Sequence, residues 1–141
     1  MTRDQRELVR QSLDRLREEA DPVTLLLYGK LFELDPSTRR LFHNDIVAQG
    51  RKLMHTLDAI AGSLDRFESM RPRLVELGRL HASYGIVSGH YDTLIRALLW
   101  AFGQALGADF DGRTREAWQL ALDAVAAVMQ EGAAASSDPF C

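Results

Sequence analysis

The sequence predicts an all-α single domain. Apolar residues recur at helical spacing along most of the chain, no segment shows the period-two alternation of a strand, and no internal repeat divides it. With 141 residues, 46% of them hydrophobic, the chain can bury roughly 70% of the surface it would expose unfolded. The domain is expected over residues 1–132, with a disordered C-terminal tail over 133–141, where the small and polar residues lose all periodicity.

Leu8, Val9, Ser12, Leu13 and Leu16 form a stripe opposite Arg, Asp and Glu, which predicts a first amphipathic helix over residues 4–19. Asp21-Pro22 punctuates the chain, and Asp21 is the expected cap of a second helix reaching Leu34. Apolar residues nearly surround that helix, so it should lie deep. Asp35 should cap a short turn ending at Phe42. Asp45 should then cap a longer helix with Ile46, Gln49, Leu53, Leu57 and Ile60 on one face. Gln49 is the polar intruder in that stripe, and a buried glutamine needs either water at the helix edge or an internal partner.

The pattern loosens from Gly62 to Ser69 before a helix that Gly85 should stop. Ser88 is the expected cap of the next helix, whose stripe Leu94, Ile95, Leu98, Leu99, Phe102 and Leu106 ends at Gly107. A last stripe, Ala117, Trp118, Ala121, Leu122, Val125, Val128 and Met129, follows the DFDG turn. These last two helices are expected to pack as an antiparallel pair.

Composition excludes several function classes. A net charge of -3 and a pI near 5.8 give no footprint for nucleic acid. The charged amphipathic start has neither a secretory apolar core nor a cleavage site, and no apolar run is long enough to span a bilayer, so a cytoplasmic protein without a membrane partner is expected. The single cysteine, Cys141, can form no intrachain disulfide. Gly-rich phosphate loops and nucleophile elbows are missing, and the scattered Ser and Asp residues have no triad-like context.

Chemistry concentrates in RPRLVELGRLHASYGIVSGHY, residues 71–91, around His81. Leu74, Leu77, His81 and Tyr84 share helical spacing, so the imidazole should face an apolar interior, either as a core residue satisfied by one hydrogen bond or as a metal ligand. Neutral imidazole ligates iron well. No second His, Cys or carboxylate stands three or four residues away on that face, so a metal here would take its other ligands from a macrocycle.

LLLYGKLFELDP, RRLF, QGRKLM, LGRLHASYG and GHYDTLIRALLW occur in an order and spacing that resemble a single-domain bacterial globin related to the haem domain of flavohaemoglobins, over about residues 4–131. The resemblance implies the globin fold, a 3-over-3 helical sandwich with helices crossing at about 50° around one haem, here with one short helix lost. It implies haem b (iron protoporphyrin IX) as cofactor, His81 as the iron ligand, and Phe42 wedged against the haem plane. Tyr28, Gln49 and Leu53 would line the distal side, with Leu77 and Tyr91 near the proximal histidine. A glutamate of the last helix completes the proximal set in that family. Here Ala133 takes its position, and Glu131 lies two residues early, turned about 200° away.

The remaining histidines carry the plain reading. His55 is turned from the distal face, His43 lies in a corner, and His90 starts a helix. Arg51 and Lys52 should face solvent, with a haem propionate as the rival partner. The resemblance implies tight, reversible binding of O2, with NO and CO as further ligands. Tyr28 and Gln49 would act as the catalytic donors in nitric oxide dioxygenation supported by a separate reductase. A gas sensor, an electron-transfer protein and a non-haem interaction module are the alternatives, in a monomer or weak homodimer.

Overall fold

The computed structural model describes residues 1–42 and 45–136, the last two as backbone only. Six α-helices, α1 (Arg3–Arg17), α2 (Ala20–Leu34), α3 (Ile46–Gly62), α4 (Arg71–Ser83), α5 (Ser88–Leu106) and α6 (Gly112–Ser136), are joined through 3₁₀ turns at Pro36–Leu41, Leu64–Met70 and Gly107–Asp109. No strand occurs among the described residues, and the fold is all-α. The α6 helix runs on through residues 133–136, so the expected tail is helical at its start. Its remainder, with Cys141, lies outside the described residues, as does the expected corner at His43.

Local chemistry explains most helix starts. Gln5 N–H donates to Thr2 Oγ1 at 3.1 Å and Thr2 N–H donates to Gln5 Oε1 at 2.8 Å, a reciprocal cap that starts α1. Asp35 accepts from Ser37 N–H at 3.1 Å, and Asp45 accepts from Val47 N–H at 2.9 Å, so both caps form as expected. Two expected caps do not. Asp21 sits inside the first turn of α2, which begins at Ala20, and its carboxylate instead takes Arg51 at 3.0 Å. Ser88 is already helical and donates to Gln130 Oε1 at 2.8 Å, tying the start of α5 to α6.

The core gathers Val9, Leu13, Leu16, Leu27, Phe102 and Trp118, all almost wholly buried. Trp118 Nε1–H donates to Ser12 Oγ at 2.8 Å, and Ser12 Oγ–H donates to the Leu8 carbonyl at 2.7 Å, so the buried indole leaves no donor unmet. The α2 helix is less deep than expected. Its Val23, Leu27, Tyr28 and Leu31 are buried, but Leu25 and Leu26 face outward at 51% and 39% exposure.

The expected contact between α5 and α6 forms, but neither helix is the other's chief partner. The chief partner of α6 is α4, and that of α5 is α2. Contact between α5 and α6 is narrower, centred on Phe102 and Trp118 with ring centroids 4.8 Å apart. Glycine decides the pairing. A Cβ on Gly78 would lie 1.8 Å from the Met129 carbonyl oxygen, and one on Gly132 would lie 2.0 Å from that of Val75. The two backbones therefore touch where side chains would hold them apart.

A second close crossing joins α2 to α3. A Cβ on Gly50 would lie 2.4 Å from Thr24 Oγ1, and Thr24 is itself 1% exposed. Tyr28 lies one helical turn beyond Thr24, and Gln49 directly precedes Gly50, so this crossing fixes the relative height of both side chains.

Candidate functional site

The α4 helix presents two faces. Gly78 turns towards α6, while Leu77 and His81, four residues apart, lie half-buried on another face. His81 Nδ1 lies 2.7 Å from the Leu77 carbonyl oxygen. A carbonyl can only accept, so Nδ1 carries the proton and Nε2 carries the lone pair. Among the described residues no hydrogen bond engages Nε2. This imidazole is oriented from behind and has Nε2 free of hydrogen bonds among the described residues.

Beyond His81 the chain turns sharply. Gly85 adopts a φ of 95°. Its N–H donates to the Ala82 carbonyl at 3.1 Å, and Ile86 N–H donates to the His81 carbonyl at 3.2 Å, the paired bonds of a Schellman ending. That turn corrects the expectation for Tyr84. The helix stops at Ser83, and Tyr84 is thrown outward to 68% exposure instead of facing the interior with His81.

On α2, Tyr28 is 3% exposed, and burial pushes its phenol up to about 12. The hydroxyl is protonated at any ordinary pH and has no hydrogen-bond partner among the described residues. Phe42 meets its ring edge-on with centroids 5.3 Å apart, and Phe32 completes a trio, 5.8 Å from Phe42 and 6.3 Å from Tyr28. Gln49 and Leu53 lie half-buried on α3, with no hydrogen bond to the Gln49 amide among the described residues.

Tyr91, on α5, is buried, and its hydroxyl is the buried side-chain polar atom left without a partner among the described residues. Burial raises its phenol as well. Glu131 does not serve it. That carboxylate is exposed and takes Arg71 Nη1 at 2.8 Å. His55 and Lys52 are exposed, and Arg51 is engaged by Asp21.

The structure thus joins Tyr28 with Phe42, and His81 with the Leu77 carbonyl. An open groove of about 430 Å³ runs along α4 past Pro72, Arg73, Glu76, Leu77 and Leu80, and of the expected site residues it takes in Leu77. Sequence reasoning missed Phe32, the Thr24–Gly50 crossing and the glycine seam behind α4. The glycines were visible signals, but their meaning depends on which helix lies opposite.

The donor set fits a haem held on one axial imidazole. A free Nε2, half-buried apolar side chains on α3 and α4, and unpartnered phenols at Tyr28 and Tyr91 suit an apolar planar group with a small polar ligand. No cluster of three or more His, Cys, Asp or Glu that could enclose a bare metal ion occurs among the described residues.

An all-helical domain with one oriented imidazole is what a helical haem protein requires. The chain belongs to the globin family, whose model, described as Globin, matches residues 25–129. As a globin it binds haem and, through it, small gas ligands such as O2. It is 29% identical to a neuroglobin of Tetraodon nigroviridis over 90% of this chain and 89% of that protein. It is 25% identical to neuroglobin-1 of Oncorhynchus mykiss over 94% and 92%. Among solved structures it matches an engineered carbene transferase, RmaNOD, from a provisionally assigned nitric oxide dioxygenase of Rhodothermus marinus. The TM-score is 0.81 and the identity 28%, with 93% of each chain covered. No helix among the described residues is long and apolar enough to cross a membrane.

Proposed function

We propose that this globin retains dioxygen tightly through Tyr28 and Gln49 and performs nitric oxide dioxygenation with electrons from a separate reductase. The observation that carries the reading is the hydroxyl of the buried residue Tyr28, protonated and without an acceptor among the described residues. A phenol in that state is available to donate to a ligand placed beside it. Gln49 is its partner donor from α3. Its amide NH2 can turn towards the same ligand, and the Thr24–Gly50 crossing holds its backbone beside α2.

Haem b, when bound, supplies a ferrous iron that takes O2, NO or CO, and that needs one electron from outside the chain after each dioxygenation. His81 would hold it through Nε2, with Phe42, Leu53 and Leu77 as apolar contacts and Tyr91 nearby on the proximal side. The Leu77 carbonyl keeps the imidazole in one tautomer and one orientation. Two donors in a dry crevice each contribute roughly 1.5–3 kcal/mol to holding a ligand that carries negative charge, which favours retention over unloading. The relative provisionally assigned as a nitric oxide dioxygenase supports this reading over storage.

The test is stopped-flow mixing of the oxygenated protein with NO. Ferric haem and stoichiometric nitrate within the mixing time are expected. Simple displacement of O2, without nitrate, overturns the dioxygenase reading.

A further inference from the structure

We infer that His90 is a pH-dependent clip on the turn that carries the chain from His81 into α5. The turn is tied at both ends. At its start, Ile86 N–H donates to the His81 carbonyl at 3.2 Å. At its end, Val87 N–H donates to His90 Nδ1 at 2.9 Å. Val87 directly precedes α5, and its side chain has no acceptor, so His90 reaches back from the third helical position to do what a glutamate or glutamine does in a capping box.

A backbone N–H can only donate, so this bond requires Nδ1 to be the unprotonated ring nitrogen. Adding a proton there sets one N–H against another and the bond is lost. The resulting imidazolium would also stand at the positive end of the α5 dipole.

Asp35 offers the cation somewhere to go. Its carboxyl is held below the usual range chiefly by the Ser37 hydroxyl, with His90 and Arg40 adding smaller attractions. The turn lies against the same region, since a Cβ on Gly85 would meet Leu41 Cδ2 at 3.8 Å. Of the charged groups, Asp35 across the corner acts on His90, Arg40 stands near that carboxylate, and Asp92 is exposed two residues further along α5. From α6, Gln130 reaches the start of α5 uncharged through Ser88, while Glu131 is taken by Arg71. Protonation therefore releases the clip and draws the ring towards Asp35.

The direction follows. The clip is closed with the His90 ring neutral and open with it protonated. Opening frees Val87 and loosens the end of α4 at the His81 carbonyl. Its consequence for the site rests on His81 being the iron ligand, whereas the clip itself can be read in the chain without haem.

Amide hydrogen exchange of the full chain, with and without haem, tests it by NMR at several pH values from about 5.5 to 8, corrected for intrinsic rates. Val87 protection should fall about 2- to 30-fold towards the acid end, the range of a lost helix cap, with Ile86 following. His90→Gln keeps a neutral acceptor and should hold protection flat. A flat wild-type profile, or an equal fall in His90→Gln, overturns the inference. Ring 15N shifts of the wild type give an independent reading. At alkaline pH they should report protonated Nε2 and bare Nδ1, and the opposite tautomer overturns it too. Loss of the haem reading would leave these exchange profiles unchanged.

Discussion

The ring of Phe42 stands edge-on to that of Tyr28, with centroids 5.3 Å apart and planes inclined by 64°. The aromatic expected against the haem plane and the phenol expected to donate to its ligand therefore brace each other. Substituting either disturbs the other's position, and only a change that preserves the Tyr28 ring isolates its hydroxyl.

Tyr28→Phe is that change. Loss of one charge-assisted hydrogen bond of roughly 1.5–3 kcal/mol should raise the O2 dissociation rate about 10- to 150-fold. CO, whose oxygen carries little negative charge, should respond far less. Gln49→Leu should act in the same direction but more weakly, because an edge glutamine spends rotamer entropy to stay in place. Dissociation of both gases from the two single variants and the double variant gives the coupling. Equal acceleration of O2 and CO in Tyr28→Phe would reduce Tyr28 to packing.

His81→Ala removes the one imidazole that the Leu77 carbonyl orients. Tight haem retention should be lost, as measured by transfer to an apoprotein acceptor. A normal five-coordinate ferrous spectrum in the variant, without added imidazole, would contradict the assignment.

Glu131→Gln should leave the Fe–His stretching frequency nearly unchanged, because the carboxylate is turned to Arg71 and the Tyr91 hydroxyl has no partner in it. Resonance Raman spectra of the ferrous forms decide the point, and a clear downward shift would show a link between Glu131 and His81.

Gly50→Ala should destabilise the fold by about 1–3 kcal/mol, since the new methyl would overlap Thr24 at a buried crossing. Thr24→Ala in the same chain should restore part of the loss. Urea midpoints of the two single variants and the double measure this, and simple additivity would place the strain elsewhere.

Alkaline pH should weaken the fold. The buried Tyr28 phenol is pushed up to about 12, above its ordinary value of 10.0, so the folded state keeps a proton that the unfolded state gives up. The stability this contributes is whole below about pH 10 and is lost as pH rises through about 12. Tyr28→Phe should flatten the urea midpoint between about pH 9 and 11.5, leaving the part due to Tyr91.

The half-buried placement of His81 and Gln49 was legible in the sequence because each is a polar group on an apolar helical face, which periodicity exposes. The all-helical class and the caps at Asp35 and Asp45 were legible for similar local reasons. Tyr28 was not legible unaided, since a tyrosine in an apolar helix looks like core until its hydroxyl is found without a partner. The chief partners of α5 and α6 escaped because their apolar stripes announce that each is buried, not mainly against what. Gly78 and Gly132 settle that, through contacts about fifty residues apart in the chain. Tyr84 followed the helical count of His81, and the turn at Gly85 cancelled that count one residue after the helix ended.

The glycine seam also bears on the order of assembly. The α2–α3 crossing that sets Tyr28 and Gln49 uses neighbouring segments, so it can form early at a small loop-closure cost. The α4 helix, with His81, has its main seat on α6, and the seating residues Met129 and Gly132 come near the far end of that helix. During synthesis His81 must wait for nearly the whole chain before its helix is seated, whereas Tyr28 does not. Cofactor capture through His81, as proposed above, would then be a closing event of folding rather than a nucleus for it.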